Sequence, residues 1–384
     1  MRKRIYLDHA ATTPVSDTVL ETMIPFFREF YGNASAVYET GRKARKAVEK
    51  ARKQVADSIG AEPGEIQFTS GGSESDNTAI KGTAFALKEK GCHIITSAVE
   101  HPAVLNTCGW LEKHGFQISY IQPDQDGRID PEKIRSAIRR DTILISVMAA
   151  NNEIGTIQPV DRIGKIAHEH RILFHTDAVQ AIGSLPVQVE DIHADLMSIS
   201  AHKFNGPKGT GALYIRRGTR IDSQIHGGEQ ERGLRAGTEN VPGIAGMGKA
   251  IEEAVKHLDG NSLKTRRLRD QLLSGILTRI PGACLNGPEE GRLSNNCNVR
   301  FDGIDGEALL LRLDLAGIDA SGGSACTSGS RTISHVLTAI GLTEAQAKGS
   351  IRLTPGPENT EEEIEEAIRT IAFIVNDLRT MNHT

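Results

Sequence analysis

The chain has 384 residues, a formal net charge of −4, 38% hydrophobic residues and 24% charged residues. That balance fits a soluble globular protein with a sizeable core, of about two ordinary domains, and it offers no basic surface for nucleic acid or membrane lipid. The basic start, Met1 to Arg4, meets only Ile5, Tyr6 and Leu7 before Asp8, too short an apolar run for a signal peptide, and no run approaches the roughly 20 residues that span a bilayer. The five cysteines (Cys92, Cys108, Cys284, Cys297, Cys326) include no CxxC pair, which points to a reducing cytoplasm rather than a disulfide framework.

In chain order, a short apolar start gives way to a small-residue turn over 8–14. A helix is predicted over 19–30, kinked at Pro25, then a loop over 31–38. Ala44, Ala47, Val48, Ala51, Val55 and Ile59 recur at helical spacing, and the Arg and Lys residues between them read as a solvated helix face. Strands are then predicted over 66–69, 93–97, 117–121, 142–148, 172–177, 196–200 and 211–215. Helices over 73–90, 104–114, 131–138 and 160–170 fall between them. Strands alternating with helices imply a mostly parallel seven-stranded sheet covered on both faces. After about residue 243 the texture changes to two helices (244–258, 262–280), a strand near 298–301, and helices over 307–316 and 333–340. A last helix starts at Thr360, with a capping box to Glu363. We read 15–260 as a large domain, and 1–14 with 261–384 as a smaller α+β domain.

Chemistry concentrates where apolar strands end. The strand over 196–200 is followed by Ser200-Ala201-His202-Lys203 and a Gly/Pro turn. A lysine there is costly to bury as a cation unless it is paired or covalently used, and a Schiff base with pyridoxal 5′-phosphate (PLP) is the commonest such use. Thr69-Ser70-Gly71-Gly72-Ser73 joins a strand to a helix start. It suits one phosphate monoester, being neither GxxxxGK[ST] nor GxGxxG, although an ordinary N-cap is the commoner reading. His101 follows another strand and could stack on a planar ring or move a proton. Asp177 ends the strand over 172–177. Such an Asp is often only a helix cap, but a pyridinium nitrogen needs an anion of this kind. Arg352 sits in a strand-like setting, as a structural ion pair or as a fork for an α-carboxylate. Cys326 lies in Ser321-Gly322-Gly323-Ser324-Ala325-Cys326-Thr327-Ser328-Gly329-Ser330, a run with no large apolar residue. It is expected to be a mobile loop with a candidate nucleophile, whereas Cys92 and Cys108 sit among apolar neighbours.

Taken together these motifs describe a PLP enzyme acting on an amino acid with sulfur chemistry. The chain resembles the cysteine desulfurases, the NifS/IscS-like branch of the class V, fold-type I PLP enzymes. The resemblance runs through Tyr6-Leu7-Asp8-His9-Ala10-Ala11-Thr12-Thr13-Pro14, Phe68 to Asn77, Glu100-His101, Asn151 to Gly155, Asp177-Ala178-Val179-Gln180, Ser200 to Lys203, His226 to Thr238, Ser324-Ala325-Cys326 and Arg352. It implies that Lys203 holds PLP, Asp177 pairs with the ring nitrogen, His101 stacks on the ring and Gln180 bonds its phenolic oxygen. It implies that Gly72, Ser73, Ser200 and His202 hold the phosphate, with Thr238 supplied by the second subunit of a homodimer. Asn152, Arg352 and Asn33 would grip the carboxylate of L-cysteine, and Cys326 would take the sulfur and pass it to an acceptor such as an iron–sulfur scaffold or a tRNA-thiolation protein. A selenocysteine lyase or a small-substrate aminotransferase of the same class is the alternative, though transamination needs no loop thiol. The chain departs from the family at Ala34, where Pro is usual, at Tyr38, where His is frequent, and at Pro355 and Pro357.

Overall fold

The computed structural model describes residues 4–322 and 333–382, so Cys326 lies outside the described residues. The described residues form thirteen strands: β1 (Ile5–Tyr6), β2 (Ile66–Thr69), β3 (His93–Ser97), β4 (Gln117–Ile121), β5 (Thr142–Ser146), β6 (Leu173–Asp177), β7 (Leu196–Ser200), β8 (Gly211–Ile215), β9 (Ala283–Leu285), β10 (Cys297–Phe301), β11 (Ile318–Asp319), β12 (Ser321–Gly322) and β13 (Ser350–Leu353). The large sheet has the order β2-β8-β7-β6-β5-β3-β4. Neighbours are parallel except around β8, which runs antiparallel to both β2 and β7. The predicted seven strands are therefore the seven observed. Strands β3, β5, β7 and β8 are buried along their whole length, as their near-continuous apolar runs require of strands covered on both faces.

The covering helices follow from the apolar periodicity. In the helix Glu39–Ile59, Ala44, Val48, Ala51, Val55 and Ile59 are buried, and Gly60 ends it at φ 69°. Arg52 departs from the solvated-face reading: it is 3% exposed. The first predicted helix is split into Asp17–Met23 and Pro25–Arg28, with Pro25 opening the second piece. The helix predicted over 73–90 spans Gly72–Ala86 instead.

A second, four-stranded antiparallel sheet has the order β12-β13-β10-β9, and β1 pairs in parallel with β11. Its apolar cluster joins Ile5 and Leu7 to Leu272, Val299, Ile351, Ile368 and Val375. The N-terminal strand thus packs with chain more than 250 residues later, whereas Val336, Leu337 and Ile340 belong to the larger cluster under the main sheet. The capping box predicted for the last helix forms: Thr360 Oγ1 accepts from Glu363 N–H at 3.2 Å, and Glu363 Oε2 accepts from Thr360 N–H at 3.3 Å.

Candidate active site

Open α/β sheets bind ligands beyond the carboxyl ends of their strands. The predicted residues lie at that edge: Gly72 and Ser73 after β2, His101 after β3, Asn152 after β5, Asp177 at the end of β6, and Ser200, His202 and Lys203 at and after β7. The strand-to-helix turn works because Gly71 has φ 151° and ψ −176°, a backbone that side chains disfavour. Gly72 must also lack a side chain, since a Cβ there would stand 2.8 Å from Val179 Cγ2.

Gly72, Ser73, Ser200 and His202 line one cavity of about 370 Å³, joined by Thr12 and Lys208. Helix N–H groups, hydroxyls and an ammonium on one cavity suit a phosphate monoester. Burial, with the nearby Lys203 and Lys208 ammoniums, pushes the His202 pKa down to about 4. The ring is therefore neutral at neutral pH, with Nδ1 and Thr12 Oγ1 3.1 Å apart.

Lys203 Nζ donates to the carbonyls of Ala10 at 2.6 Å and Ala11 at 2.8 Å, and Gln180 Nε2 donates to the same Ala10 carbonyl at 2.9 Å. The small-residue turn after β1 is thus a wall of the site. Lys203 and Gln180 also border a second cavity of about 370 Å³ with His9, Asn205, Glu253 and Glu358.

Asp177, 6% exposed, accepts from Val179 N–H at 2.9 Å. Burial raises its pKa, and the facing His101 and Lys203 side chains oppose that rise. Such a carboxylate is completed by a cation, as a pyridinium would supply. His101 caps the helix Pro102–Glu112: its Nδ1 accepts from Ala103 N–H at 3.1 Å, which leaves the proton of the neutral ring on Nε2. Burial lowers its pKa. Beneath lies a buried polar layer of His175, Asp76 and Glu100. His175 spans Ser146 Oγ at 2.8 Å and Ser198 Oγ at 3.0 Å, and burial pushes its pKa down to about 3. Asp76 is buried, and burial, with Asp177 nearby, raises its pKa well above the ordinary value. Burial pushes Glu100 up to about 8, although Ser97 and Met148 N–H donate to it. Glu100 is thus a neutral acid at neutral pH behind Asp177, and burial biases Asp76 in the same direction.

Arg352 is 1% exposed. Its Nη1 donates to the Asn152 carbonyl and its Nη2 to Asp8 Oδ1, each at 2.8 Å, and Asp8 Oδ2 accepts from Ser321 Oγ at 2.6 Å. Arg352 thus carries an ion pair to Asp8 beside Asn152, with Nε unpartnered among the described residues. Asn33 is exposed, and its Oδ1 accepts from Ser35 N–H at 2.8 Å. Thr238 is exposed on the chain leading to the helix Val241–Lys256 and does not line the phosphate cavity. The structure brings neither residue to the others within one chain. Thr12, Lys208, Asp8 and the Ala10 and Ala11 carbonyls were missed as functional groups. For Asp8, Thr12 and the two carbonyls the one signal was the run of small residues and threonines after Asp8, and for Lys208 the Gly206-Pro207 turn before it.

The residues present fit PLP. A monoester cavity, a lysine, a buried carboxylate and a capping histidine converge on one sheet edge, and Asp177 supplies the counter-charge that a protonated ring requires.

The aminotransferase class-V family model matches residues 5–367. A cysteine desulfurase IscS from Methanosarcina thermophila is 54% identical over 380 residues, covering 99% of this chain and 94% of that protein. One from Dictyoglomus turgidum is 53% identical over 382 residues, covering 100% and 97%. Among solved structures, a NifS-like protein superposes with a TM-score of 0.92 at 42% identity, covering 98% of this chain and 100% of its own. SspA in complex with cysteine does so with a TM-score of 0.82 at 42% identity, covering 93% and 100%. With the fold, the sheet-edge site and these full-length matches agreeing, the chain belongs to the aminotransferase class-V family, alongside those cysteine desulfurases.

Proposed function

We propose that this protein is a PLP-dependent cysteine desulfurase that converts L-cysteine to L-alanine and leaves the sulfur as a persulfide on Cys326. The observation that carries the reading is the convergence of Lys203, Asp177 and His101 at one sheet edge, next to the Gly72–Ser73 cavity, in a chain 54% identical to a cysteine desulfurase. When bound, PLP supplies an electron sink that lets the amino-acid Cα lose its proton. Lys203 Nζ is its attachment atom, and Gly72, Ser73, Ser200 and His202 hold the phosphate, with Thr238 from the partner subunit. Asp177 keeps the ring nitrogen charged, and His101 and Gln180 hold the ring in place.

Arg352 and Asn152 orient the substrate carboxylate, aided by Asn33. Once free, the Lys203 amine takes the Cα proton, and the Ala10 and Ala11 carbonyls accept hydrogen bonds from the ammonium so formed. Their geometry supports this, since both stand within 2.8 Å of Nζ. His101 holds a movable proton on Nε2. The Cys326 thiolate attacks the substrate sulfur, the carbon–sulfur bond breaks, and the carbon keeps the bonding pair and is protonated. One cysteine and one thiol thus give one alanine and one persulfide.

We further propose a homodimer in the cytoplasm, consistent with scattered cysteines and with no helix among the described residues long and apolar enough to cross a membrane. In it 15–260 forms the PLP-binding domain, and 1–14 with 261–384 a small domain carrying Cys326. The acceptor is a protein of iron–sulfur assembly or tRNA thiolation. The test is mass mapping after incubation with cysteine. One added sulfur is expected on the Cys326 peptide, and Cys326→Ser is expected to form neither persulfide nor alanine. Sulfur on another cysteine, or near-normal turnover by Cys326→Ser, overturns the reading.

A further inference from the structure

The loop after β8 contains a backbone feature that the reaction as described does not use. Glu231 (φ 46°, ψ 39°) and Arg232 (φ 60°, ψ 33°) are consecutive non-glycine residues in the left-handed region, and Gly233 follows at φ 79°. Each of the first two positions costs free energy, and such strain persists only where the surroundings over-determine it.

The surroundings do so through a buried ion pair. Arg52 Nη1 and Nη2 donate to Glu231 Oε2 and Oε1, both at 2.8 Å, with side chains 4% and 5% exposed. Glu231 Oε2 also accepts from Phe68 N–H at 2.9 Å, and Arg52 Nη1 donates to the Ile66 carbonyl at 2.7 Å. Glu231 is therefore riveted to β2, the edge strand that leads into Gly71-Gly72-Ser73. A second tie lies four residues on. Arg235 Nε donates to Glu74 Oε1 at 3.0 Å, and Glu74 Oε2 accepts from Ser70 N–H at 2.9 Å. Both ties end on the strand and turn that build the phosphate cavity. Between them and the helix Val241–Lys256 the loop leaves Thr238 exposed. A buried ion pair is a poor stabiliser compared with apolar packing of the same volume, so fold stability alone does not account for one that also holds strained backbone.

We infer that Arg52, Glu231 and Arg235 are positioning residues that set the exposed Thr238 for the cofactor phosphate of a second copy of this chain. The inference rests on the PLP reading above and on Thr238 acting across a homodimer. It adds that the hydroxyl is pre-organised within one subunit, on the same strand and turn that hold that subunit's own phosphate.

The experiment compares the affinity of full-length apoenzyme for PLP and for pyridoxal, which lacks the phosphate, in the wild type, Thr238→Val, Glu231→Gln and Arg235→Gln. A lost hydrogen bond to a charged phosphate is worth about ten-fold in affinity. All three variants are expected to bind PLP roughly ten-fold more weakly while pyridoxal affinity changes less than about two-fold. If Thr238→Val loses PLP affinity and the other two do not, the positioning inference is wrong and the role of Thr238 stands. If Thr238→Val leaves the PLP to pyridoxal ratio at the wild-type value, the cross-subunit reading fails and takes the inference with it. Equal losses for PLP and pyridoxal in Glu231→Gln and Arg235→Gln would mean a merely structural role and also overturn it. Should Glu231→Gln fail to fold, Arg235→Gln decides, because its ion pair is partly exposed.

Discussion

Glu100 should make the protein more stable in mild acid than at pH 8. Its carboxyl is 1% exposed, accepts from Ser97 Oγ at 2.5 Å and from Met148 N–H at 3.0 and 3.1 Å, and burial lifts its pKa from 4.5 to about 8. In the unfolded chain it loses its proton above about pH 4.5. The native state keeps that proton until about pH 8, so in this window the native state binds more protons and stability falls as pH rises. The slope is about 1.4 kcal/mol per pH unit, or roughly 3 kcal/mol between pH 5 and pH 7. Glu153, pushed up to about 7 by burial and bonded by Ser334 Oγ at 2.5 Å, adds a slope of the same sign that ends near its own pKa. Glu100→Gln supplies an acceptor oxygen without the titrating proton. It should match the wild type near pH 5 and exceed it by roughly 3 to 5 kcal/mol at pH 8. Urea unfolding of PLP-loaded enzyme at fixed protein concentration, from pH 5 to pH 8.5, measures this. An unchanged slope in Glu100→Gln, or a variant less stable than wild type at pH 8, would show that Glu100 is ionised in the fold. It would thereby refute the reading of Glu100 as a neutral acid behind Asp177.

Borohydride reduction of the holoenzyme followed by peptide mapping should place the label on Lys203, and Lys203→Ala should lose it; a label on Lys208 overturns the assignment. Asp177→Asn should retain PLP absorbance but lose turnover by about 10²-fold or more, the effect of replacing a buried charge–charge contact with a neutral amide; near-normal turnover removes the charge-pairing role. Cys108 and Cys297, whose thiols burial pushes up to about 12 and about 11, should resist iodoacetamide in native enzyme at pH 8, where their thiolate fractions are about 10⁻⁴ and 10⁻³. Rapid labelling of either would mean that its burial is not maintained in solution.

Several elements were legible from residue pattern because the forces that form them are local. Strands β3, β4, β7 and β8 fall on their predicted bounds, since each is a short, β-branched or apolar run closed by a turn. The helix Gly72–Ala86 stopped short of its predicted end because Lys90 N–H bonds back to the Leu87 carbonyl in a turn, a choice that periodicity does not encode. Strands of two or three residues, such as β9, β11 and β12, are not predicted because so short a run has no period to read. Only a partner distant in sequence makes it a strand.

The site divides along the same line. Lys203 and Asp177 could be picked from sequence because a charged residue closing a buried strand violates the apolar pattern and needs a chemical reason. The roles of Asp8, Ala10 and Ala11 could not, since each acquires its partner from chain nearly 200 residues or more away: Arg352 for Asp8, Lys203 for the two carbonyls. Arg52 shows the limit most clearly. Its sequence neighbourhood is a basic, amphipathic helix in which a solvated side chain is the natural expectation. It is buried only because the fold brings Glu231 and the Ile66 carbonyl to it, and a cation leaves water when such partners replace its hydration. Local pattern thus decided which segments become strands and helices and which residues break them, whereas the pairing of charges across the chain was decided by tertiary structure, because electrostatic partners are set by distance in space.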